Sequence, residues 1–451
     1  MKAAFLALTL AATPLCAEER PWSDEVIYFV MLDRFADGDT ANNQGVDTAD
    51  PLAFHGGDLV GLREKLGEIA DLGATAIWLT PIVAQIPTTV PSDHGPFAPH
   101  HGYWAEDFTR IDPRYGTEAD LAALTSAAHA RGIKVILDVV YNHVGYGADW
   151  TATRPEWLRQ GEDCGGDEIT MCLAGLPDLR TELPEVRDML FEAHIGLAER
   201  VGLDGFRLDT VKHIPHDFWS AHAQEVRNRL GDDFLLLGEV WDGDKYLAAP
   251  YFENRELDAL FDFGFRDRTL KFLTGVEQAD RFSRYLAKRH DVGEAGLLAP
   301  FLSNHDMPTL LAMLRGDRDR YLMAATLLFT IEGIPTVAWG EEIGRRGGVW
   351  PENREDMAWS GGYRDETLRD MFKQLIALRR AWPALSASPI DVIRAEKGLL
   401  AYRRGDLVVA INRSEDVVDL ALGGDILFET REAGGSLAPM SAQILHLPEL
   451  R

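Results

Sequence analysis

The stretch Gly205–His213 reads GFRLDTVKH, an apolar strand pattern into which an arginine, an aspartate and a lysine are set. Three other apolar runs end in a similar way: KVILD closes on Asp138, FLLLGE on Glu239 and FLSNHD on Asp306. A charged side chain in an apolar run is costly unless it lies at the mouth of the strand, beside partners or solvent. These endings predict parallel strands whose carboxyl ends meet on one face.

Short β-type runs alternate with helical stretches from residue 27 to about residue 380. Leucine and isoleucine recur at three-to-four spacing from Leu59 to Leu72, and Met371–Trp382 has a similar period, so both segments should be helices with one apolar face. Eight strand–helix repeats predict a (β/α)₈ barrel, with an open doubly wound sheet as the alternative. The predicted strands are Ile27–Arg34, Thr75–Pro81, Lys134–Val140, Gly205–Val211, Phe234–Trp241, Asp258–Phe265, Leu298–Asn304 and Thr336–Gly340.

Two segments depart from this alternation and suggest the domain bounds. Residues 144–180 are Gly-rich and irregular, which indicates an excursion domain after the third strand. Beyond residue 385 the pattern changes to short alternating runs, among them Leu399–Arg403 and Asp406–Asn412, with Arg404 and Gly405 as the hairpin turn between them. We therefore expect a barrel over 18–385 that includes the excursion, and a small antiparallel β domain, a β-sandwich, over 386–451.

The first 17 residues have a lysine, an apolar run and small residues before a charged stretch, which is typical of a signal peptide cleaved after Ala17. A lipoprotein anchored through Cys16 is the alternative. Export would place the mature protein in the periplasm or outside the cell. There, Cys164 and Cys172, eight positions apart, are most simply a disulfide that closes a small loop, and metal binding is the weaker interpretation.

The formal net charge of −27 argues against nucleic acid and anionic membranes as partners, because both would repel the chain. A neutral ligand such as a sugar is indifferent to that charge. We expect the mature protein to act as a monomer on such a ligand.

The barrel would bring carboxylates, one guanidinium and several imidazoles to a single mouth. The alternative is that these are unrelated surface acids, but four strands would then have to end in such residues by independent coincidence. Glycoside cleavage needs this assortment, since one carboxylate attacks the anomeric carbon while a protonated carboxylic acid donates to the leaving oxygen. Retention of configuration follows when the two lie about 5 Å apart, which adjacent strand ends can supply. The side chains concerned are Asp138, Arg207, Asp209, Glu239, His305 and Asp306.

Seven strings, in order and at suitable spacing, resemble the α-amylase family of retaining glycoside hydrolases, glycoside hydrolase family 13, over essentially the whole mature chain. Four look like its signature segments: DVVYNH (138–143), GFRLDTVKH (205–213), LLLGEVW (235–241) and FLSNHDM (301–307). The others are GATAIWLTP (73–81), LPDL (176–179) and GIPTVAWGEE (333–342).

The resemblance implies a role for each acid at the barrel mouth. Asp209 would be the nucleophile, Glu239 the general acid/base and Asp306 the stabiliser of the transition state. Arg207 would lie beside Asp209 and hold it ionised. Asp138 would support the site structurally.

The resemblance also implies a binding subsite for the sugar that precedes the cleaved bond. His143 and His305 would donate hydrogen bonds to its hydroxyls. Tyr103, in HGYW (101–104), would stack on its ring, unless it is a core aromatic.

Two calcium sites are implied as well, both built from the oxygen donors that a hard cation prefers. In the first, Asn142, Asp178 and the His213 carbonyl would tie the excursion to the barrel, although hydrogen bonds alone are an alternative. The second would lie in DRFADGDTANN (33–43) and HGGD (55–58), where a plain Asp/Asn/Gly turn is the alternative. Its ligands would be Asp37, Asp39, Asn42, Asn43, Asp58 and the Gly56 carbonyl.

Lys212 and His213, after the nucleophile, resemble members that act on α-1,4 linkages, where Lys212 would contact the sugar beyond the cleaved bond. The short excursion and small C-terminal domain favour soluble starch or maltodextrins over granules. A cyclomaltodextrinase- or neopullulanase-like enzyme, or a 4-α-glucanotransferase, would use the same residues. A non-catalytic sugar-binding relative is the alternative from another class.

Overall fold

A computed structural model describes residues 20–241, 250–289 and 297–447. The predicted signal peptide lies outside these residues. Among the helices that the model describes, none is long and apolar enough to cross a membrane.

Eight parallel strands form one sheet, as predicted. Each ends a few residues before the predicted run does. The reason is visible at Val211 and Val240, which are buried although they lie beyond the strand ends. The barrel mouth is covered, so apolar sequence continues past the last strand hydrogen bond. The strands are β1 (Ile27–Val30), β2 (Ala76–Leu79), β3 (Lys134–Val139), β4 (Gly205–Leu208), β5 (Leu235–Gly238), β6 (Ala259–Asp262), β7 (Leu297–Pro300) and β8 (Thr336–Ala338).

The strands follow one another in chain order around the sheet, and β1 pairs with both β2 and β8. A parallel bridge between Phe301, just after β7, and Thr336 of β8 joins the two remaining edges. The barrel is therefore closed, and the open doubly wound alternative is excluded. The register places Arg207 of β4 directly beside Asp138 of β3.

Helices lie between the strands and shield the barrel. The apolar face predicted from Leu59 to Leu72 is buried, and the side chain of Asp58 caps the first turn of that helix. The predicted helix around Met371–Trp382 is confirmed as well. The longer helices are α1 (Leu59–Leu72), α2 (Glu118–His129), α3 (Pro184–Val201), α4 (His216–Leu230), α5 (Phe263–Thr274), α6 (Ala279–Lys288), α7 (Arg318–Thr330) and α8 (Glu366–Ala381).

The excursion after β3 leaves and re-enters the barrel at one point. Its two ends are held together by backbone hydrogen bonds from Val144 to the Pro177 carbonyl and from Leu179 to the Asn142 carbonyl. Cys164 and Cys172 form the predicted disulfide, with their Cα atoms 5.4 Å apart. The excursion is therefore pinned at its base and stapled within its loop.

The C-terminal residues form one five-stranded antiparallel sheet, where we expected a two-sheet sandwich. One face packs into the same apolar core as the barrel helices, and a loop that carries Leu437 covers part of the other, so no second sheet is needed to bury it. The hairpin turn is Gly405–Asp406, one residue later than predicted, because Arg404 still pairs with Leu407. The strands are β9 (Asp391–Glu396), β10 (Leu399–Arg404), β11 (Leu407–Asn412), β12 (Asp425–Glu429) and β13 (Ser441–His446).

Candidate active site

A single buried guanidinium organises the acids at the barrel mouth. Arg207 Nη1 lies 3.0 Å from Asp138 Oδ1 and 2.6 Å from Asp209 Oδ1, and its Nη2 lies 3.1 Å from Glu239 Oε1. Side chains from β3, β4 and the residues after β4 and β5 thus converge on one cation, as the sequence predicted. Because three carboxylates share one positive charge in a buried setting, they cannot all ionise without a large electrostatic cost.

Glu239 is the acid on which this cost falls. Burial raises the pKa of Glu239 to about 8. The negative charges of Asp209 and Asp306 act in the same direction, and the positive charge of Arg207 opposes them. The other oxygen, Oε2, accepts a hydrogen bond of 3.2 Å from the Thr210 amide. Thr210 directs that amide from a left-handed backbone conformation, with φ of 49°, that non-glycine residues seldom adopt. Glu239 is therefore positioned, and protonated near neutral pH.

Asp138 lies deeper, under the other members of the cluster. Burial raises its pKa to about 7, although Arg207 opposes this. Its Oδ2 accepts hydrogen bonds from the Tyr103 hydroxyl at 2.6 Å and the Trp78 indole at 3.1 Å. Each of these contacts is with a neighbouring side chain, which fits the structural role that the resemblance implies for Asp138; that role stays a prediction.

Three side chains of the predicted sugar subsite line one wall beside this cluster. The rings of Tyr103 and His305 are stacked, with centroids 5.2 Å apart and planes 9° from parallel. His143 Nε2 lies 3.2 Å from the Tyr103 carbonyl. Burial lowers the pKa of both histidines, so each imidazole is neutral at pH 7. The ring of His101 also stacks on that of Tyr103, with centroids 5.7 Å apart, and the residue as a whole is partly exposed, so part of it is accessible to a ligand.

Asp306 lies next to His305 at the rim of the mouth. Its Oδ2 lies 3.1 Å from His305 Nε2 and its Oδ1 accepts a hydrogen bond of 3.2 Å from Arg354. The Asn304 side chain accepts from the Asp306 amide. About a third of the Asp306 side chain is exposed. It is the most accessible of the predicted acids and faces the space in which a sugar would lie.

Lys212 and His213 belong to the turn that follows Asp209. Lys212 Nζ lies 3.7 Å from a carboxylate oxygen of Glu168, in the disulfide loop. His213 Nδ1 contacts the Glu168 carbonyl at 2.8 Å. Both residues therefore lie at the junction between the excursion and the barrel.

The N-terminal loop offers oxygen atoms that fit a cation. Asn42 Oδ1 and Asn43 Oδ1 are buried and have no hydrogen-bond partner among the residues described. A Cβ built on Gly56 would lie 2.8 Å from Asn43 Oδ1 and 3.3 Å from an oxygen of Asp37, so these groups surround a position next to Gly56. Asp58 instead accepts four hydrogen bonds, from the Gly38, Asp39 and Gly61 amides and the Asn42 side chain. Asp39 accepts from the Ala41 amide.

The second set of candidate calcium ligands, around Asn142 and Asp178, is less available to a cation. Asn142 Oδ1 is buried without a partner in the described part of the chain. Asp178, however, already accepts a 2.7 Å hydrogen bond from Arg159, which is a positive charge where the metal would be. Burial nevertheless raises the Asp178 pKa to about 7. Over the described ranges, no three His, Cys, Asp or Glu side chains converge as metal ligands, so a cation at either position would depend on amide and carbonyl oxygens.

Several contact residues of the site did not stand out in the sequence. Trp78 lies within a predicted strand, and Thr210 acts through its backbone. Arg354 and Glu168 lie in irregular segments without periodicity. No local pattern could have shown that Arg354 would contact Asp306 or that Glu168 would contact Lys212. The one available signal was the disulfide, which restrains the loop that contains Glu168.

A closed (β/α)₈ barrel with neighbouring buried carboxyl groups at its mouth is the construction of a glycoside hydrolase. Residues 29–158 and 168–380 match the model of the α-amylase catalytic domain. The chain belongs to the α-amylase family, and it is an enzyme that acts on O-glycosyl bonds.

Relatives with different activities support this assignment. The chain is 31% identical to a cyclomaltodextrinase from Geobacillus thermopakistaniensis over 88% of this chain and 70% of that protein. It is 30% identical to neopullulanase 2 of Thermoactinomyces vulgaris, over 84% and 67% of the two chains. Among solved structures, an Anoxybacillus α-amylase superposes with a TM-score of 0.83 at 34% identity and covers 96% of this chain and 100% of its own. An α-amylase from Geobacillus thermoleovorans in complex with acarbose gives 0.82 at 32%, with the same coverage.

Proposed function

We propose that the chain hydrolyses α-1,4-glucosidic bonds of soluble starch and maltodextrins with retention of configuration. The observation that carries this proposal is the sharing of Arg207 by Asp209 and Glu239, which sets a carboxylate beside a carboxylic acid. The two carboxyl groups contact different nitrogens of one guanidinium, which makes them neighbours, and the retaining mechanism requires that they lie about 5 Å apart.

In the first step the Asp209 carboxylate attacks the anomeric carbon, and the bond from that carbon to the glycosidic oxygen breaks. Glu239 gives its proton to the departing oxygen. In the second step Glu239, now a carboxylate, takes a proton from water, whose oxygen displaces Asp209 from the same carbon. Arg207 offsets the negative charge that passes between the two acids.

The remaining residues bind and distort the sugar. Asp306 would favour the positive charge that develops on the ring in the transition state. The neutral His143 and His305 would donate hydrogen bonds to hydroxyls, and the Tyr103 ring would pack against the apolar face of the same sugar. A sugar seated in this way would present its anomeric carbon to Asp209.

The substrate class rests on Lys212 and on the relatives. The names of those relatives include α-amylases, a cyclomaltodextrinase and a neopullulanase, and all three names fit the same site chemistry. The alternative function, cyclodextrin cleavage or transfer between maltodextrins, would use the same acids and differ in which acceptor meets the glycosyl–Asp209 intermediate.

The test is a time-resolved product profile on soluble starch, β-cyclodextrin and maltotriose, with the anomeric form of new ends read by NMR. We expect α-anomers first and faster cleavage of starch than of cyclodextrin. Initial β-anomers would contradict the retaining mechanism, and predominant disproportionation would contradict hydrolysis. Binding of maltodextrin without release of reducing ends would indicate a sugar-binding protein.

We further propose that calcium binds the N-terminal loop, supported by the orphan oxygens of Asn42 and Asn43 next to Asp37. The bound ion would hold this loop against the start of α1. Asn142, Asp178 and the His213 carbonyl are a second candidate site, in competition with Arg159. A chelator should lower the thermal unfolding temperature of the wild type and have less effect on Asp37→Ala. If chelation changes nothing, neither site holds calcium.

We also propose export to the periplasm or the medium, as a monomer. The Cys164–Cys172 disulfide supports an oxidising compartment. Sequencing of the mature N-terminus should start at Glu18, and light scattering should give the mass of one chain. A start at Cys16 carrying lipid would contradict cleavage after Ala17.

A further inference from the structure

The disulfide loop Cys164–Cys172 has a fixed internal shape. The Asp167 side chain accepts hydrogen bonds from the Ile169 and Thr170 amides, at 2.9 Å each. The Gly165 amide donates to the Thr170 carbonyl at 2.8 Å. Glu168 lies at the tip of this loop, so its position is set by the staple and the turn together.

Glu168 meets the turn that follows the nucleophile through two contacts. Its carboxylate lies 3.7 Å from Lys212 Nζ, and its carbonyl accepts a hydrogen bond from His213 Nδ1. The carboxylate is 59% exposed and the lysine 22% exposed. An ion pair so open to water contributes little to folding stability. The Glu168 carboxylate and the Lys212 ammonium therefore keep free hydrogen-bonding capacity that faces solvent.

The acid/base fixes which side of the cleaved bond this pair occupies. Glu239 accepts from the Thr210 amide through its side chain and from the Val211 amide through its carbonyl. The turn that carries Lys212 is thus adjacent to Glu239. The proton donor must face the departing oxygen, so this turn lies toward the leaving group. Tyr103, by contrast, meets the cluster through Asp138, and His305 stacks on Tyr103.

We infer that Glu168, which lies beside Lys212, also binds the sugar beyond the cleaved bond, whether it is the leaving group or an acceptor that replaces water. The inference rests on the proposed function and adds Glu168 to it as a determinant of acceptor specificity. A carboxylate that accepts and an ammonium that donates suit the hydroxyls of a neutral sugar, which both accept and donate. The excursion thereby influences how the glycosyl intermediate divides between water and a sugar acceptor.

The test uses α-maltosyl fluoride as donor, because its small leaving group forms the glycosyl intermediate without a sugar beyond the bond. Maltose is added as acceptor, and fluoride release and transfer products are followed together. For Glu168→Gln we expect the maltose concentration at half-maximal transfer to rise about tenfold, the effect of one charge-assisted hydrogen bond. This rise should exceed any change in fluoride release without maltose.

Glu162→Gln is the matched control, because Glu162 is an exposed glutamate of the same excursion with no ion pair among the residues described. It should leave both measurements within twofold of the wild type. Thermal unfolding of each variant checks that the fold is kept.

Equal half-maximal maltose concentrations for the wild type, Glu168→Gln and Glu168→Ala would overturn the inference. An equal loss of fluoride release and of transfer in Glu168→Ala would overturn it as well, because it would make the residue structural. Fluoride release by the wild type without any transfer to maltose would show that no acceptor site exists. Failure of the proposed glycosidase chemistry is distinct from these outcomes, since the wild type itself would then release no fluoride. A transferase in place of a hydrolase would still release fluoride and is recognised by its products on maltotriose.

Discussion

Two arginines of this enzyme each hold more than one carboxylate, and they do so with different consequences. Arg207 lies in the barrel mouth against Asp138, Asp209 and Glu239, all of which are buried. Arg159 lies in the excursion against Asp178, which is buried, and Glu182, whose side chain is 44% exposed.

The difference lies in the balance of charge and in access to water. At Arg159 only Asp178 is buried, with a pKa that burial raises to about 7, and the second acid, Glu182, is partly solvated. At Arg207 three buried acids exceed one cation, and Glu239 is left with a proton at neutral pH. We propose that the excess of buried carboxylate at Arg207 supplies a general acid, whereas the more solvated set at Arg159 fastens a loop.

The strongest test of this comparison is Asp209→Asn, which removes the nucleophile from the Arg207 cluster. We expect kcat/KM on soluble maltodextrins to fall by at least about 10⁴-fold, because the amide cannot form the covalent intermediate. The circular dichroism spectrum should be unchanged.

Glu182→Gln is the matched control, since it removes one acid from the other arginine. Its activity should stay within twofold of the wild type. Near-normal activity in Asp209→Asn would remove that residue from the role of nucleophile.

Glu239→Gln should have the next largest effect, a fall of about 10²- to 10⁴-fold on maltodextrins, because the proton donor is lost. With α-maltosyl fluoride the first step needs no such donor, so the formation of the glycosyl intermediate should be less affected. Pre-steady-state fluoride release measures this step. Equal losses on the two donors would show that Glu239 does not act as the acid.

The pH profile should show the proton that Glu239 holds. The reactive form is protonated, so kcat/KM should decline as the pH rises through the Glu239 pKa of about 8. Glu239 keeps its proton in the folded chain up to about pH 8, whereas the unfolded chain loses it near pH 4.5. This group therefore makes the free energy of unfolding fall as the pH rises from about 4.5 to 8. Urea unfolding at several pH values should show a flatter decline for Glu239→Gln. An activity limb far below pH 7 would contradict the raised pKa.

Much of this site could be predicted from the sequence because strand topology does the positioning. Asp138 and Arg207 follow from apolar periodicity alone, since parallel strands bring residues near their carboxyl ends to one rim. The roles of Asp209, Glu239 and Asp306 came from the resemblance to the α-amylase family, and they stay predictions until the variants are measured.

The loop contacts could not be predicted, because irregular chain has no period that fixes where a side chain points. Arg354 meets Asp306, and Arg159 meets Asp178, across separations that only the fold decides. The strand bounds were too long for a related reason: buried loops at the barrel mouth have the same apolar composition as strands. The C-terminal antiparallel β domain was predicted, but not that it consists of one sheet, because the barrel helices that bury its inner face are distant in sequence.

The smallest effect concerns stability at the second arginine. Arg159→Met removes the cation but keeps apolar bulk, and it leaves Asp178 buried without its partner. We expect the free energy of unfolding to fall by about 2 kcal/mol, less than for a fully buried pair because Glu182 is partly solvated. Arg284→Gln, on an exposed pair with Asp280, should change it by less than about 0.5 kcal/mol. If added calcium restores the stability of Arg159→Met, the metal and the guanidinium compete for Asp178, and either of them can fasten the excursion.

If Arg159→Met is as stable as the wild type when no calcium is added, charge balance does not distinguish the two arginines. The excursion is then held by its backbone hydrogen bonds and disulfide alone.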